Sequence, residues 1–288
     1  MSILVTGGEG QLGKALAAAF QALQQEESGS PLAHSEFIPV DLPEWDITDP
    51  GVVPRLAGLQ PEVVIHCAAM THVDGCARDP GLAYRVNAFG TQNVALACRL
   101  AQADMLHIST NEVFDGRSDR PYFEFDPTGA INPYGASKLA GEQMATRLLH
   151  RLYVVRISWL FAPGSSSFVS KILERARAQG ELRVVTDEVA NPTYAPDLAR
   201  ALLQLARTRH YGIYHLVNEG YCSRFDFARE IVQQAGLGHV PVHPITSDTF
   251  ERASTPPAFA PLHNTVGAAL GIRLRPWQAA LEDYFKID

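Results

Sequence analysis

A hydroxyl side chain and a Tyr-x-x-x-Lys step come close together in the sequence, and together they could transfer a proton. Thr110 ends the apolar run MLHIST, and Tyr134 and Lys138 follow in the string NPYGASKLAGE. If Tyr134 opens a helix, Tyr134 and Lys138 lie on one helix face about one turn apart. An ammonium beside a phenol favours the phenolate and lowers the pKa of a tyrosine from its ordinary ~10. We therefore predict that Thr110, Tyr134 and Lys138 are catalytic, although an ordinary surface helix could carry the same spacing.

The N-terminal segment has the order of a dinucleotide-binding turn. SILVT at 2–6 predicts a buried strand, GGEGQLG follows with glycines at 7, 10 and 13, and Leu12, Leu16 and Phe20 then recur at helical spacing. Glycines in such a unit permit the tight turn and let backbone amides approach a pyrophosphate at the helix N-terminus. We predict that this turn binds a dinucleotide.

An acidic residue ends the second predicted strand. Asp41 directly follows EFIPV, and a carboxylate there hydrogen-bonds the ribose hydroxyls and repels a 2′-phosphate, which favours NAD(H). The polar stretch QQEESGSP at 24–31 is interpreted as a surface loop that lengthens the gap from Gly13 to Asp41. A third predicted strand, EVVIHCAA, ends in Ala68 and Ala69, whose small side chains let a cofactor pass close over the sheet.

The loop MTHVD at 70–74 follows that strand and is predicted to line the mouth of the site. His72 in this loop is a candidate for substrate contact. His66 and His107, in contrast, lie within apolar strands and are interpreted as hydrogen-bonded core histidines.

The composition is that of an ordinary globular protein and excludes several classes. The 288 residues are 46% hydrophobic and 19% charged, and the net charge of −7 argues against a nucleic-acid binder, which normally presents a basic face. The four cysteines are scattered without metal-ligand spacing, as expected for buried thiols in a reducing compartment. No apolar run approaches the ~18 residues of a membrane span, and Met1 leads directly into a strand without a signal peptide. We expect a cytoplasmic protein with no bound metal.

Strands alternate with helices along the chain, which predicts an α/β fold with a doubly wound parallel (Rossmann) sheet. Residues 1–160 are predicted to form the dinucleotide-binding domain, with strands also returning from later segments. Residues 161–288 are predicted to form mainly a smaller C-terminal substrate-binding lobe, so that the substrate lies in the cleft between the two parts.

Longer strings resemble one family among the extended short-chain dehydrogenase/reductases. HCAAMTHVDGCARDPGLAYRVNAFGTQNVA, STNEVFDG, PYFEFD, NPYGASKLAGE, RISWLFAPG and VVTDEVANPTYAPDLA are similar to the pattern of the dTDP-4-dehydrorhamnose reductases over nearly the whole chain. The resemblance implies reduction of a nucleoside-diphosphate 4-keto-6-deoxy sugar by NAD(H) or NADP(H). Tyr134 would protonate the C4 oxygen, Lys138 would bind the nicotinamide ribose and keep Tyr134 acidic, and Thr110 would hydrogen-bond the same oxygen.

The resemblance also assigns residues to the two ligands. The implied cofactor positions are Gly7, Gly10, Gln11, Leu12, Gly13, Asp41, Asp46, Ile47, Ala68, Ala69, Asn87, Tyr134 and Lys138. With the candidates Thr110, Glu112 and His72, the implied substrate positions are Thr71, Val73, Trp159, Asn191 and Thr193.

The chain departs from the family pattern at two places. Asn111-Glu112 stands where the reductases usually have Asp-Tyr, which removes a flat contact from the sugar pocket and places an acid there. Ala15 stands where the reductases often have a metal-linking glutamate, so we expect no magnesium-linked dimer, although a homodimer of another kind stays open.

Two other functions stay open at this point. Asn111 also matches the beta subunit of methionine adenosyltransferase, a cofactor-binding regulatory subunit that turns over no sugar. Thr110-Asn111-Glu112 is similar to the Thr-Asp-Glu of sugar-nucleotide 4,6-dehydratases, so a dehydratase or epimerase is the third hypothesis. Without an aspartic acid at position 111, delivery of a proton to the leaving hydroxyl is compromised.

Overall fold

The computed structural model describes residues 2–26, 35–249 and 252–286. The predicted surface loop at 24–31 lies mostly outside these residues, and its first three residues belong to a helix instead.

Strands and helices alternate over the described chain. The strands are β1 (Ser2–Thr6), β2 (Glu36–Val40), β3 (Val63–His66), β4 (Asp104–Thr110), β5 (Leu152–Ile157), β6 (Leu160–Phe161), β7 (Leu182–Val185), β8 (Val189–Ala190), β9 (Thr193–Tyr194), β10 (Gly212–His215), β11 (Asn218–Glu219), β12 (Cys222–Ser223), β13 (Val242–Ile245) and β14 (Leu274–Pro276). The α-helices are α1 (Gln11–Glu26), α2 (Val52–Gly58), α3 (Val73–Arg78), α4 (Pro80–Tyr84), α5 (Thr91–Ala101), α6 (Pro133–Leu148), α7 (Phe168–Gln179), α8 (Ala195–Ala206), α9 (Arg224–Gln234), α10 (Val266–Ala269) and α11 (Trp277–Tyr284).

The centre of the fold is a six-stranded sheet in the order β10-β5-β4-β3-β1-β2. All of its neighbouring strands are parallel, so the carboxyl ends of β1, β3, β4 and β5 meet at one edge. The predicted doubly wound parallel sheet is confirmed.

Alternation along the strands fills two cores, because successive side chains of a strand point to opposite faces. On β1, the side chains of Ile3 and Val5 belong to the core that contains apolar residues of α1 and α8. Leu4 belongs to the other core, with apolar residues of α2, α5 and α6. A buried strand with helices on both faces is therefore apolar at consecutive positions, as SILVT is.

The second half of the chain divides between the sheet and a smaller lobe. Helix α8 packs against α1, and β10 pairs with β5 at the sheet edge. The lobe has its own core around Phe227, which includes residues of α7, β7, α9 and α11, and its strands β7 and β13 pair in parallel.

Within residues 2–26, 35–249 and 252–286, no helix combines the length and apolar composition needed to cross a membrane. The same residues contain no group of three or more His, Cys, Asp or Glu side chains arranged to hold a metal ion.

Candidate active site

A cavity of about 670 Å³ lies at the carboxyl edge of the sheet, between the sheet and the lobe. Its wall contains most of the residues that the sequence singled out. Those lining it are Gly7, Gly10, Gln11, Leu12, Gly13, Asp41, Asp46, Ile47, Ala68, Ala69, Thr71, Val73, Thr110, Glu112, Tyr134, Lys138 and Trp159.

The glycine turn is shaped for close approach of a ligand. Gly7 has φ +71°, and a Cβ there would lie 2.8 Å from the backbone nitrogen of Ala68. A Cβ at Gly13 would lie 2.5 Å from the carbonyl oxygen of Gly7, whereas one at Gly10 would meet only that oxygen, at 3.2 Å. Gly7 and Gly13 are therefore needed for backbone packing, and Gly10 keeps the cavity side of the turn open.

The donors at this turn fit a pyrophosphate. Helix α1 begins at Gln11, so the amides of its first turn have no acceptor within the helix. Such amides, with the positive end of the helix dipole, bind phosphate. A bound NAD(P)(H) would place its diphosphate there.

Asp41 is fixed at the other wall of the same turn. Its carboxylate oxygens accept hydrogen bonds from the backbone nitrogens of Glu9 and Leu42, both at 2.8 Å. These contacts hold the carboxylate at the cavity wall, where ribose hydroxyls of a dinucleotide would lie.

The N-terminal turn of α6 positions the catalytic candidates. Asn132 caps this helix by accepting a hydrogen bond from the Gly135 nitrogen at 2.8 Å, and Pro133 opens it. Gly135 packs directly on the carbonyl of Glu112, because a Cβ would collide with that oxygen. This contact brings Tyr134 beside the end of β4, the strand that Thr110 ends.

Burial controls the protonation of Tyr134 and Lys138. Burial raises the pKa of Tyr134, and the charge of Glu112 raises it further, while the hydrogen bond from Thr110 lowers it. Burial lowers the pKa of Lys138 to about 8, against the opposing charge of Glu142. The expectation that Lys138 would draw the phenol pKa downward is therefore wrong for the protein alone. Tyr134 is protonated at neutral pH, as a general acid must be, and Lys138 is still mostly charged.

Among the described residues that line the cavity, four of the predicted site residues are absent: His72, Asn87, Asn191 and Thr193. His72 instead caps α3, its Nδ1 accepting from the Gly75 nitrogen at 2.8 Å. Asn87 is fully buried and bonds both the nitrogen and the oxygen of Met70, at 2.8 and 3.0 Å, so it orders the loop that follows β3.

Asn191 and Thr193 are buried where the lobe meets the sheet. Asn191 accepts from the Leu262 nitrogen at 2.7 Å and donates to the Gly220 oxygen at 2.8 Å. The backbone nitrogen of Thr193 donates to the Trp159 oxygen at 3.2 Å. Asn191 thus bonds the backbone of the segments around Gly220 and Leu262, and the backbone of Thr193 pairs with Trp159.

The sequence reasoning missed the cations of the lobe. Arg224 and Lys171 both line the cavity, and the Arg224 guanidinium lies 3.7 Å from the centre of the Trp159 ring. No local motif marked them: Lys171 lies on α7, 12 residues beyond Trp159, and Arg224 lies on α9, 31 residues beyond Thr193.

The parallel sheet, the glycine turn and the Thr-Tyr-Lys group in one cavity define an NAD(P)-dependent oxidoreductase of the extended short-chain dehydrogenase/reductase class. The family model described as the RmlD substrate binding domain matches residues 1–288. The chain thus belongs to the dTDP-4-dehydrorhamnose reductase family.

Individual relatives are similar over nearly the whole chain. The Bacillus subtilis spore coat polysaccharide biosynthesis protein SpsK is 35% identical over 285 residues, which are 99% of this chain and 96% of that protein. The Mycobacterium tuberculosis dTDP-4-dehydrorhamnose reductase is 37% identical over 286 residues, 97% of this chain and 90% of that protein. The crystal structure of the Bacillus anthracis dTDP-4-dehydrorhamnose reductase in complex with NADP has a TM-score of 0.91 at 35% identity, covering 100% of this chain and 99% of that one.

Proposed function

We propose that the protein reduces the C4 carbonyl of a nucleoside-diphosphate 4-keto-6-deoxy sugar, with NADH or NADPH as the reductant. The observation that carries the proposal is the position of Thr110, Tyr134 and Lys138 on one wall of the cavity that the glycine turn also lines. The relatives named as dTDP-4-dehydrorhamnose reductases support this substrate class.

Each of the three side chains has one role in this reaction. A bound NAD(P)H would supply the hydride to the carbonyl carbon. Thr110 donates a hydrogen bond to the carbonyl oxygen, and Tyr134, protonated because of its burial, transfers its proton to that oxygen as negative charge develops. Lys138, mostly charged at neutral pH, would bind the nicotinamide ribose.

The surroundings of Asn111 favour reduction over dehydration. Its Nδ2 donates to the Ala260 carbonyl at 3.1 Å, and its Oδ1 accepts from the Thr110 hydroxyl at 3.3 Å. A side-chain amide used in this way ties β4 to the lobe and has no proton to give to a leaving hydroxyl.

The test is turnover of a dTDP-4-keto-6-deoxyhexose, followed by the loss of reduced-nicotinamide absorbance. We expect steady turnover by the wild type and a loss of about 10²–10⁴-fold in Tyr134→Phe, the range that general acid catalysis contributes. Cofactor binding without turnover of any such sugar contradicts the proposal and would favour a regulatory subunit.

A further inference from the structure

A small side cavity of about 50 Å³ adjoins the main cavity. The two share the wall residues Val73, Asn111, Glu112, Trp159 and Arg224. A space of this size holds one small substituent of a larger ligand and not a second ring.

The wall of the side cavity carries two carboxylates and two guanidinium groups. Arg252 bonds Glu188 at 3.1 Å and Asp74 at 3.3 Å, and Arg224 lies 3.7 Å from Glu188. Glu112 completes the set. An anion would meet Glu112 and Glu188, and a cation would meet the two arginines, so a neutral polar group is the ligand that this wall accepts best.

Glu112 has a free acceptor at this place. Its Oε2 accepts a hydrogen bond from Asn132 Nδ2 at 2.6 Å, while Oε1 has no hydrogen-bond partner among the described residues. Burial raises the pKa of this carboxyl, and Arg224 and Arg252 oppose that effect. A hydroxyl can donate to Oε1 and accept from a guanidinium at once, so it satisfies both kinds of group.

The side cavity also lies next to the reacting centre. Glu112 follows Thr110 by two positions, and its charge raises the pKa of Tyr134. In a 4-keto-6-deoxy sugar, the two carbons beside the carbonyl carry a hydroxyl at C3 and a methyl group at C5. Of these substituents only the hydroxyl suits a charged wall.

We propose that Glu112, Arg224 and Arg252 form the binding site for the C3 hydroxyl of the sugar and make the protein selective for substrates that retain it. This inference rests on the proposed reduction of a 4-keto sugar. It names a specificity determinant at the position where the family's usual tyrosine is absent.

The test measures binding and turnover separately. Calorimetry with NAD⁺ present compares dTDP-6-deoxyglucose, its 3-deoxy analogue and its 2-deoxy analogue. We expect the 3-deoxy analogue to bind roughly 10–100-fold more weakly, because it leaves Glu112 Oε1 without a hydrogen-bond donor, and the 2-deoxy analogue to bind within about threefold of the parent. Equal affinity for the parent and the 3-deoxy analogue overturns the inference.

Substitutions in the wall of the side cavity test whether its residues cause the selectivity for the C3 hydroxyl. Glu112→Leu and Arg252→Met should each reduce the ratio of the affinities for the parent and the 3-deoxy analogue by about tenfold or more. Glu174→Leu, on the exposed face of α7, should keep the wild-type affinity ratio. NADH binding by each variant checks its folding. A 3-deoxy penalty that persists undiminished in both wall variants also overturns the inference. Selective binding without reduction of any keto sugar would instead refute the proposed function alone.

Discussion

Arg156 and Glu142 form a two-point ion pair in the interior, with Nε and Nη2 donating to the two carboxylate oxygens at 3.0 and 2.8 Å. The Ser109 hydroxyl donates to the same carboxylate. These bonds join β5, α6 and β4, so they fix the helix that carries Tyr134 and Lys138 against the strand that ends in Thr110.

Replacing one member of this pair should cost much more than replacing a surface pair. Glu142→Ala leaves a buried guanidinium without its partner, and we expect the free energy of unfolding to fall by about 3–5 kcal/mol. Urea denaturation measures the change. Lys14→Ala removes an exposed pair with Glu9 at 3.4 Å and should cost at most about 1 kcal/mol. Equal losses in the two variants would show that the buried pair does not hold the site.

The buried charge of Lys138 should lower the free energy of unfolding, although the proposed reaction needs this residue. Its pKa is about 8 in the folded protein against an ordinary 10.5, so the unfolded chain binds more protons between these values and stability rises with pH over that window. Below pH 8 the full cost of the buried charge remains. Lys138→Met should therefore be more stable than the wild type at pH 7, by up to about 3 kcal/mol, and inactive.

The measurement is urea denaturation of wild type and Lys138→Met, without cofactor, at pH 7 and pH 10. The stability gap between the two proteins should narrow at the higher pH. A gap that is constant or widens is incompatible with a depressed Lys138 pKa.

Asp41 should set the choice between the two nicotinamide cofactors. Its carboxylate is held at the cavity wall by Glu9 and Leu42, and it repels a 2′-phosphate. We expect a higher kcat/KM for NADH than for NADPH, and Asp41→Asn should reduce that preference by about tenfold, the value of roughly 1.4 kcal/mol of lost repulsion. Steady-state kinetics with both cofactors checks this. Asp49→Asn, which removes a carboxylate outside the cavity wall, is the control and should keep the wild-type ratio.

Alanine substitution should have opposite effects at a glycine of the turn and at a glycine of α2. A Cβ at Gly13 would collide with the carbonyls of Gly7 and Gly8, so Gly13→Ala should lose NADH affinity by about 100-fold or more. Gly58 in α2 has no heavy atom within 4 Å of such a Cβ. Gly58→Ala should bind NADH normally and gain about 0.5–1 kcal/mol of stability. Fluorescence titration with NADH and urea denaturation measure both, and undiminished NADH binding by Gly13→Ala would falsify this reading of the turn.

Local patterns predicted the sheet, the glycine turn and the Tyr134–Lys138 step, because each depends on residues within one strand, turn or helix. The direction of the Tyr134 pKa was not predictable in this way. It depends on burial and on Glu112, which reaches Tyr134 through the packing of Gly135.

Contacts between distant segments account for the other differences. Asn87 and Asn191 are polar residues of the expected type, yet they bond backbone groups of Met70 and Leu262. Arg252 meets Asp74 across 178 positions. Residue type alone does not tell whether an amide faces a ligand or the backbone, since only the tertiary fold decides which partners are in reach.

The return of β10 to the edge of the central sheet has a consequence for engineering. A protein ending near residue 160 would leave β5 as an unprotected edge and would strip α8 from α1, which exposes apolar surface and invites association between copies. The cofactor-binding part and the substrate-binding part are therefore not independent folding units. Chimeras between relatives should exchange 195–217 together with the N-terminal portion rather than join the two parents at a single point.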